Sequence, residues 1–318
     1  MLKKGTKVAI LGAGKVGATI AYTLTISGAV SEIVLIDIDN ERAKGEAMDI
    51  VQGTPFSPPV NIYAGDYESA QDAHIVIITL GLARKPGQTR LDLAQTNVNI
   101  IKGVMPHITK YAPNAVYIVV SNPIDILTYA ILKTTNLSEN QVIGSGTLLD
   151  TSRLRAGLAE HVGFAPQHIH AYVMGEHGDT SMIPWSLVNI GVLNMKDYCT
   201  DVCEHHNRCD KSELQAIEQN MRTSGAQVIG MKGATFYAIA IAVRRIVECL
   251  QRETNSMITV SGMLHGEYGI EDVCLSLPFI VNSQGIRRSV LVPLSPAEEK
   301  ALVASANSLK QAIATLDI

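Results

Sequence analysis

The sequence predicts an α/β fold, because short apolar runs alternate with amphipathic segments through the first half of the chain. The apolar runs are continuous and β-branched, which is typical of strands in a parallel sheet covered by helices on both faces. After about residue 145 the pattern changes to long helical periodicities and alternating strand patterns. We therefore predict two units, a doubly wound α/β unit at 1–145 and an α+β unit at 146–318.

The first unit is predicted from strands and helices that follow one another along the chain. Apolar runs predict strands at 7–14, 32–39, 74–81 and 115–123. Amphipathic segments predict helices at 15–28 and 40–53. Strands separated by helices in this way pair in parallel and form a doubly wound sheet.

The second unit is predicted to combine helices with antiparallel strands. Helical patterns cover 150–162, 211–231 and 235–251. The alternating runs ITVSGML, VCLSLPFIV and RRSVLVPL predict the strands. A last helix is predicted at 295–316, since Ser295 suits the N-cap, Pro296 suits the first helical position, and Glu298 completes a capping box.

Composition excludes several classes of protein. Of 318 residues, 47% are hydrophobic and 18% charged, which is enough for a sizeable core. The formal net charge of -4 gives no basic surplus for nucleic acid, and no apolar run reaches the ~18 residues of a membrane span. The N-terminus lacks the features of a signal peptide, and five clustered Cys argue against a disulfide framework. We expect a soluble, cytoplasmic protein.

A dinucleotide site is predicted at the start of the chain. Gly12, Gly14 and Gly17 form the pattern G-x-G-x-x-G, with Val16 inside it, between the first strand and the first helix. Asp37 follows at the end of the second strand, where a carboxylate binds ribose hydroxyls and repels a 2′-phosphate. This Rossmann pattern favours NAD over NADP. The alternative is a glycine-rich turn that binds no ligand.

A second group of residues suits acid/base chemistry on a small anion. His177, in GEHGD, can exchange a proton near neutral pH, although a lone histidine is more often part of a surface turn. Asp150 is a candidate for the carboxylate that orients it. Arg153 shares a helix face with Asp150 at spacing i,i+3 and can bind a substrate carboxylate with two hydrogen bonds. The bland alternative for these two residues is a surface ion pair.

Together these motifs resemble the bacterial L-lactate dehydrogenases, within the lactate/malate dehydrogenase superfamily. The resemblance covers essentially the whole chain, and the motifs occur in order. They are GAGKVG, LIDID, KPGQTRLDL, VVSNPIDILTY, IGSGTLLDTSRLR, GEHGDT and KGAT. The resemblance implies a Rossmann unit for NAD, a C-terminal α+β unit for the substrate, and a homotetramer.

The resemblance also implies a role for each residue of the site. His177 is the acid/base, Asp150 its orienting carboxylate, and Arg153 the ligand of the substrate carboxylate. Arg90, on a loop that closes over the site, polarises the substrate carbonyl. Further residues are implied on the substrate and nicotinamide side of the pocket: Asn122, Thr235 and Gly81.

Arg84 departs from the lactate dehydrogenase pattern. In that superfamily this position faces the substrate side chain, and lactate enzymes usually carry Gln there, whereas malate enzymes usually carry Arg. A guanidinium over the pyruvate methyl would lack a partner, whereas over oxaloacetate it would pair with a carboxylate. The rest of the pocket resembles lactate enzymes, as in GSGTLLD, in Thr235 and in the absence of a YAPA continuation. We prefer pyruvate and leave malate dehydrogenase and dual specificity open.

An arginine–histidine pair and a cluster of cysteines each have a functional interpretation and a purely structural one. Arg155 and His170 match positions that bind fructose 1,6-bisphosphate in allosteric bacterial lactate dehydrogenases, and the alternative is a surface Arg and a strand His. Cys199, Cys203 and Cys209 lie near two histidines, but their spacing fits no common zinc pattern, so we predict no metal.

The resemblance therefore implies an NAD-dependent L-lactate dehydrogenase that regenerates NAD+ by reducing pyruvate. Two alternatives of other classes remain. One is an NAD-dependent glycosidase of related fold, which would need a metal. The other is an NAD-binding protein without catalysis, in which His177 would be dispensable.

Overall fold

The computed structural model describes residues 5–82, 90–202 and 211–318. Their strands form a nine-stranded mixed sheet in the order β12-β11-β10-β6-β5-β4-β1-β2-β3, and a small sheet in the order β7-β8-β9. The strands of the large sheet are β1 (Lys7–Leu11), β2 (Glu32–Ile36), β3 (Asn61–Ala64), β4 (Ile75–Ile78), β5 (Val116–Val119), β6 (Val142–Gly144), β10 (Ser256–Glu267), β11 (Ile270–Asn282) and β12 (Gly285–Ser289). The small sheet consists of β7 (Ile169–His170), β8 (Asn189–Ile190) and β9 (Leu193–Asn194).

Helices cover the large sheet and connect its parallel strands. In the first half they are α1 (Lys15–Ser27), α2 (Asn40–Gly53), α3 (Arg90–Tyr111) and α4 (Ile124–Thr134). In the second half they are α5 (Leu148–Val162), the single turn α6 (Met195–Asp197), α7 (Lys211–Lys232), α8 (Tyr237–Leu250) and α9 (Pro296–Ile313). The Rossmann unit and the α/β fold class predicted from the sequence are confirmed.

The parallel half of the sheet is built around β1. This strand pairs with β2 on one side and with β4 on the other, and Val8 lies opposite Ile33 and Ile75. The side chains from Val8 to Leu11 are fully buried, as expected for a strand covered on both faces. Strands β1, β2 and β4 therefore end side by side and place the segments that follow them at one edge of the sheet.

The predicted strands are longer than the observed ones. Strands at 7–14, 32–39, 74–81 and 115–123 were expected, but β1 ends at Leu11, β2 at Ile36, β4 at Ile78 and β5 at Val119. The residues that follow leave the sheet as turns towards the cleft described below. The apolar runs in the sequence therefore extend beyond the residues that pair in the sheet. The sequence patterns predict no element at the positions of β3, β6, α3 and α4.

The strands of the second half continue the same sheet, which the sequence did not indicate. Ser261 of β10 lies antiparallel to Gly144 of β6, at the boundary between the two halves of the chain. A side chain on Gly144 would meet Ser261 Cβ at 2.7 Å, so this glycine permits the close approach. Elements from both halves of the chain are thereby held in one sheet.

The last predicted strand is shorter than its alternating sequence suggests. The run RRSVLVPL begins at Arg287, but β12 ends at Ser289. Val290 still donates to Pro278 O, whereas the Val292 N–H donates to the Tyr268 hydroxyl instead of a strand. Pro293 has no main-chain N–H, so it cannot donate a hydrogen bond that would extend the pairing of β12 with β11.

The final helix confirms its predicted start. Ser295 is the N-cap of α9, and its hydroxyl and the Glu298 carboxylate form both hydrogen bonds of a capping box. The helix ends at Ile313 rather than at 316.

Two apolar cores stabilise the fold. The larger surrounds the nine-stranded sheet and includes fully buried residues from both halves, such as Ile10, Ile77 and Leu277. The smaller lies between α5, α7 and the small sheet, around Leu154 and Leu158. Within the described ranges of the chain, no helix is long and apolar enough to cross a membrane.

Candidate active site

A cleft of about 910 Å³ lies at the carboxyl ends of the central parallel strands. In doubly wound sheets this is the edge at which ligands bind. Four residues predicted to contact the dinucleotide line it: Gly12, Gly14, Asp37 and Gly81. Of the other predicted residues, Val16 lies on α1 and packs partly buried against the larger core.

The glycines of the loop between β1 and α1 are required by close contacts. Gly12 has φ +100°, a conformation that favours glycine. A Cβ on Gly17 would lie 1.9 Å from Gly12 O and 2.8 Å from Thr79 Oγ1. The first turn of α1 is thus packed directly on the loop, and its N-terminal N–H groups are available to a pyrophosphate. The cleft and this loop fit a dinucleotide.

Replacing Gly17 by alanine is expected to destabilise the loop by about 1–3 kcal/mol, because the added methyl overlaps a backbone oxygen. NADH affinity should fall together with the free energy of unfolding, measured by fluorescence titration and by chemical denaturation. The matched control is Gly103→Ala in α3, where a Cβ would have open space. That substitution should stabilise the helix slightly and leave NADH binding unchanged. Equal effects of the two variants would contradict the packing argument.

Asp37 is held at the mouth of the cleft by two main-chain groups. Its Oδ2 accepts the N–H of Ala13 at 2.6 Å, and its Oδ1 accepts the N–H of Asp39 at 2.9 Å. A carboxylate oxygen can accept more than one hydrogen bond, so both remain able to bind ribose hydroxyls. The residue that would select NAD is therefore also tied to the glycine loop.

His177, Asp150 and Arg153 meet in one cluster. His177 Nδ1 lies 2.6 Å from Asp150 Oδ2, and Arg153 Nη1 donates to Asp150 Oδ1 at 3.0 Å. Asp150 and Arg153 lie one turn apart on α5, as the sequence predicts. His177 lies in a different segment, after β7 of the small sheet. The Asp150 side chain is 9% exposed and those of His177 and Arg153 about one fifth, so the cluster is shielded but reachable.

The cluster behaves as an ion pair that favours a protonated histidine. Burial alone would lower the pKa of His177, but the charge of Asp150 and the hydrogen bond to it raise the pKa above its ordinary value. Burial alone would raise the pKa of Asp150, yet His177 and then Arg153 hold it below its ordinary value. Asp150 is therefore ionised near neutral pH and stabilises the imidazolium.

The loop that carries His177 is anchored on several sides. Gly175 and Ser276 of β11 exchange both main-chain hydrogen bonds, and the Glu176 N–H donates to Ser305 Oγ of α9 at 2.9 Å. The N–H of His177 itself donates to Asp125 Oδ2 of α4 at 2.8 Å. Elements from both halves of the chain thus fix the histidine.

Asn97 connects two predicted cofactor-side segments. Its Oδ1 accepts the N–H of Leu82, the last described residue before the segment that contains Arg84, and its Nδ2 donates to Asn122 O at 2.7 Å. Asn122 itself is exposed and lies directly before Pro123, the N-cap of α4. Gly81, with φ +127°, packs against the Asn97 side chain.

The remaining predicted residues lie around this centre or outside the described part. Thr235 is half-buried in the turn between α7 and α8. Arg155 donates from Nε to Ala171 O at 2.9 Å and its guanidinium lies over the Tyr172 ring, beside the exposed His170. Arg84 lies outside the described residues, and Arg90 is described as the first residue of α3, without its side chain.

The cysteine-rich segment contains one cysteine that forms a disulfide bond. That cysteine is Cys199, whereas the cysteine pattern argues only against a framework of several disulfides. Its neighbours Cys203 and Cys209 lie outside the described residues, whereas Cys249 and Cys274 are free and buried. No group of metal-ligating side chains occurs in the described ranges.

Sequence reasoning missed Asp125 and Asn97. Both are almost fully buried polar residues, at 2% exposure each. Asp125 stands at a helix start, where an acidic residue is commonplace, and Asn97 lies in the middle of α3. An ionisable residue within an otherwise apolar segment, IDILTYAIL, was the available signal for Asp125.

The comparison with protein families gives a match over both halves of the chain. The family model described as lactate/malate dehydrogenase, NAD binding domain, matches residues 6–144, and the one described as lactate/malate dehydrogenase, alpha/beta C-terminal domain, matches residues 147–317. The chain belongs to the lactate/malate dehydrogenase family. The chain is accordingly an NAD-dependent oxidoreductase, as predicted.

Curated relatives are similar to this chain over nearly their whole length. The chain is 48% identical to an L-lactate dehydrogenase of Acetivibrio thermocellus over 98% of both chains. It is 45% identical to L-lactate dehydrogenase 1 of Clostridium acetobutylicum, covering 98% of this chain and 99% of that protein.

Solved structures agree in fold. The minor L-lactate dehydrogenase from Enterococcus mundtii, in a ligand-bound form, superposes with a TM-score of 0.94 at 35% identity, over 99% of this chain and all of that one. MGS-M5, a lactate dehydrogenase from a Medee basin deep-sea metagenome library, gives 0.93 at 36% identity over 99% of both chains.

Proposed function

We propose that this chain catalyses the reversible, NAD-dependent interconversion of pyruvate and L-lactate. The observation that carries the proposal is the cluster in which Asp150 contacts both His177 and Arg153, because it joins a proton donor to an anion-binding group. The names of the relatives support pyruvate over oxaloacetate, and family membership does not favour a glycosidase. The domain boundary proposed from sequence lies at about residue 145.

The proposed chemistry assigns proton transfer to His177. NADH, when bound, supplies the hydride to the substrate carbonyl carbon. His177, whose Nδ1 is engaged by Asp150, donates a proton from Nε2 to the carbonyl oxygen. Asp150 stabilises the imidazolium before the proton leaves, and in the reverse direction the neutral imidazole takes the proton back.

The proposed binding roles fall to the arginines and to the glycine loop. Arg153 binds the substrate carboxylate, and Arg90 stabilises the negative charge that develops on the substrate oxygen. Asn122 and Thr235 contact the substrate side of the pocket, and Arg84 faces the substrate side chain. Asp37 and the first turn of α1 hold the cofactor, with Gly81 beside it.

The pH profile should follow His177. Because its pKa is raised, the proton donor stays charged beyond the ordinary value of 6.5. We expect kcat/KM for pyruvate to be level at lower pH and to fall about tenfold per unit above that raised pKa, whereas kcat/KM for lactate rises through it. Steady-state rates in both directions between pH 5 and 10 test this, and a reductive rate that increases with pH would contradict it.

The deciding experiment for substrate compares kcat/KM for pyruvate and oxaloacetate during NADH oxidation. A strong pyruvate preference supports the proposal, and a strong oxaloacetate preference would mean that Arg84 selects a second carboxylate. The second candidate, malate dehydrogenase, rests on Arg84 alone.

Two further proposals concern the assembly of the protein and its regulation by a phosphorylated effector. We propose a homotetramer, supported by exposed apolar side chains on α1, α2 and α8: Tyr22, Ile26, Met48, Tyr237 and Ile241. We also propose that Arg155 and His170 bind fructose 1,6-bisphosphate, supported by the contact that brings Arg155 against the segment of His170. Repeating the substrate assay with this effector, and measuring the mass by sedimentation, tests both.

A further inference from the structure

The segment that follows α9, residues 314–318 and here called the tail, is attached to helix α3 by the side chain of Gln95. Gln95 Oε1 accepts the main-chain N–H of Asp317 at 2.9 Å, and Gln95 Nε2 donates to the main-chain oxygen of Asp317 at 3.2 Å. One side-chain amide therefore pairs with both main-chain groups of a single residue. Gln95 Nε2 also donates to Asn99 Oδ1 at 2.9 Å, which orients the amide on the helix.

Lys102 makes a second and weaker attachment to the tail. Its Nζ donates to the main-chain oxygen of Asp317 at 3.3 Å and lies 3.4 Å from Asp317 Oδ2. The Asp317 side chain is 86% exposed, so water screens this ion pair and it contributes little. The hydrogen bonds of the Gln95 amide do not depend on a charge. Gln95 is therefore the residue on which the attachment chiefly depends.

The tail is anchored by contacts of its own. Leu316 and Ile318 are partly buried and pack against the larger core. Helix α9, from which the tail extends, contains the fully buried Ser305, whose Oγ accepts the N–H of Glu176. The tail is thus a fixed support for α3 and not a free end that α3 holds in place.

Helix α3 has the tail on one face and the dinucleotide cleft on the other. A helix turns by about 100° per residue, so Gln95, Asn99 and Lys102 share one face. Ile100 and Val104 lie roughly half a turn around the helix and line the cleft. The contacts with the tail therefore fix the rotation of α3 that brings these two apolar side chains to the cleft.

Asn97 lies on the cleft side of α3 as well. Its side chain is almost fully buried and binds the N–H of Leu82 and the main-chain oxygen of Asn122. A rotation of α3 about its axis would move these two segments together with the apolar wall of the cleft. The position of α3 thus affects several parts of the cofactor side at once.

The hydrogen-bond ladder of α3 is interrupted beside the attachment. Pro106 lies inside the helix and has no N–H to donate to the main-chain oxygen of Lys102, one turn earlier. Helices bend at such positions. Val104, which lines the cleft, lies between Lys102 and Pro106. The tail therefore supports α3 in the part where the helix itself is weakened and where it faces the cleft.

We propose that Gln95 is a positioning residue for the dinucleotide: its amide holds α3 against the tail, so that Asn97, Ile100 and Val104 keep their places at the cleft. The inference rests on the proposed placement of NADH in this cleft and not on the identity of the substrate. It predicts that breaking the attachment weakens NADH binding by the folded enzyme.

The test compares two substitutions of Asp317. Asp317→Pro removes the main-chain N–H that Gln95 accepts, whereas Asp317→Ala keeps this N–H and removes only the carboxylate near Lys102. The dissociation constant of NADH, measured by fluorescence titration without substrate, should rise about three- to tenfold in Asp317→Pro. It should change less than about twofold in Asp317→Ala. An Asp317→Pro variant that binds NADH as tightly as the unmodified enzyme would overturn the inference.

Gln95→Ala removes the other side of the same attachment. It should raise the dissociation constant of NADH by a similar factor, and the double variant with Asp317→Pro should bind no more weakly than either single variant. Additive losses would mean that the two residues act separately, which overturns the inference. The control is Gln227→Ala on α7, where the amide donates to Thr223 of the same helix, and NADH binding should be unchanged. If Gln95→Ala does not fold, the two Asp317 variants decide the question, because they leave α3 unaltered.

Hydrogen exchange separates an effect on α3 from a loss of overall stability. A modest decrease in the free energy of unfolding leaves almost all molecules folded, so by itself it does not change NADH affinity. In Gln95→Ala, amide exchange at 95–105, followed by peptide mass spectrometry, should be faster and should slow again when NADH saturates the enzyme. Weaker NADH binding with unchanged exchange in α3 would overturn the inference. Since no substrate is used, failure of the inference leaves the proposed reaction intact, and failure of the proposed reaction leaves the inference intact.

Discussion

Replacing His177 by asparagine is expected to lower kcat/KM for pyruvate by about 10²–10⁴-fold, the usual contribution of a general acid. Asparagine retains a polar side chain of similar reach but cannot donate a titratable proton. NADH affinity should be unchanged, because His177 does not line the dinucleotide cleft. Stopped-flow NADH oxidation and fluorescence titration measure the two quantities separately.

The control for this substitution is His265→Asn. His265 contacts Glu139 at 2.6 Å, but its side chain is 63% exposed, so the pair contributes little. That variant should keep activity within about twofold. If His177→Asn retained activity within tenfold of the unmodified enzyme, proton transfer would have to be assigned to another group.

Replacing Arg153 by glutamine should have the second large effect. Removing one member of a shielded charge pair costs about 2–5 kcal/mol, which corresponds to roughly 30- to 5,000-fold in kcat/KM. The loss should appear chiefly in KM for pyruvate and in the affinity for oxamate, a carboxylate of the same shape. NADH binding should be unaffected.

The control is Arg245→Gln on α8, whose guanidinium pairs with Glu248 at the surface. It should bind oxamate normally. If Arg153→Gln lowered kcat without changing the affinity for oxamate, Arg153 would act through Asp150 on the histidine instead of binding the carboxylate.

The sequence was sufficient to predict the parts of the site that depend on local spacing. The glycine loop, Asp37 at the end of β2, and the shared helix face of Asp150 and Arg153 all follow from short-range periodicity. The structure adds that a Cβ on Gly17 would overlap Gly12 O, which explains sterically why the motif needs glycine at this position.

Contacts between distant segments could not be predicted in the same way. His177 is far from Asp150 in the chain, and only the packing of α5 against the loop after β7 brings the ring to the carboxylate. Asp125 and Asn97 were missed because their partners are main-chain groups, which carry no sequence signal. The junction of β6 and β10 rests on a single residue pair and was equally hidden.

The hydrogen bond between Asp37 and Ala13 bears on how cofactor preference can evolve in this enzyme. A mutation that removes the Asp37 carboxylate to admit a 2′-phosphate also removes the acceptor of the Ala13 N–H, which lies in the glycine loop proposed to bind the pyrophosphate. We therefore expect the first substitution towards NADP to lower the affinity for both NAD and NADP. A second substitution in the glycine loop would be needed to restore it. Because one carboxylate has both roles, we do not expect a single substitution to convert the preference from NAD to NADP.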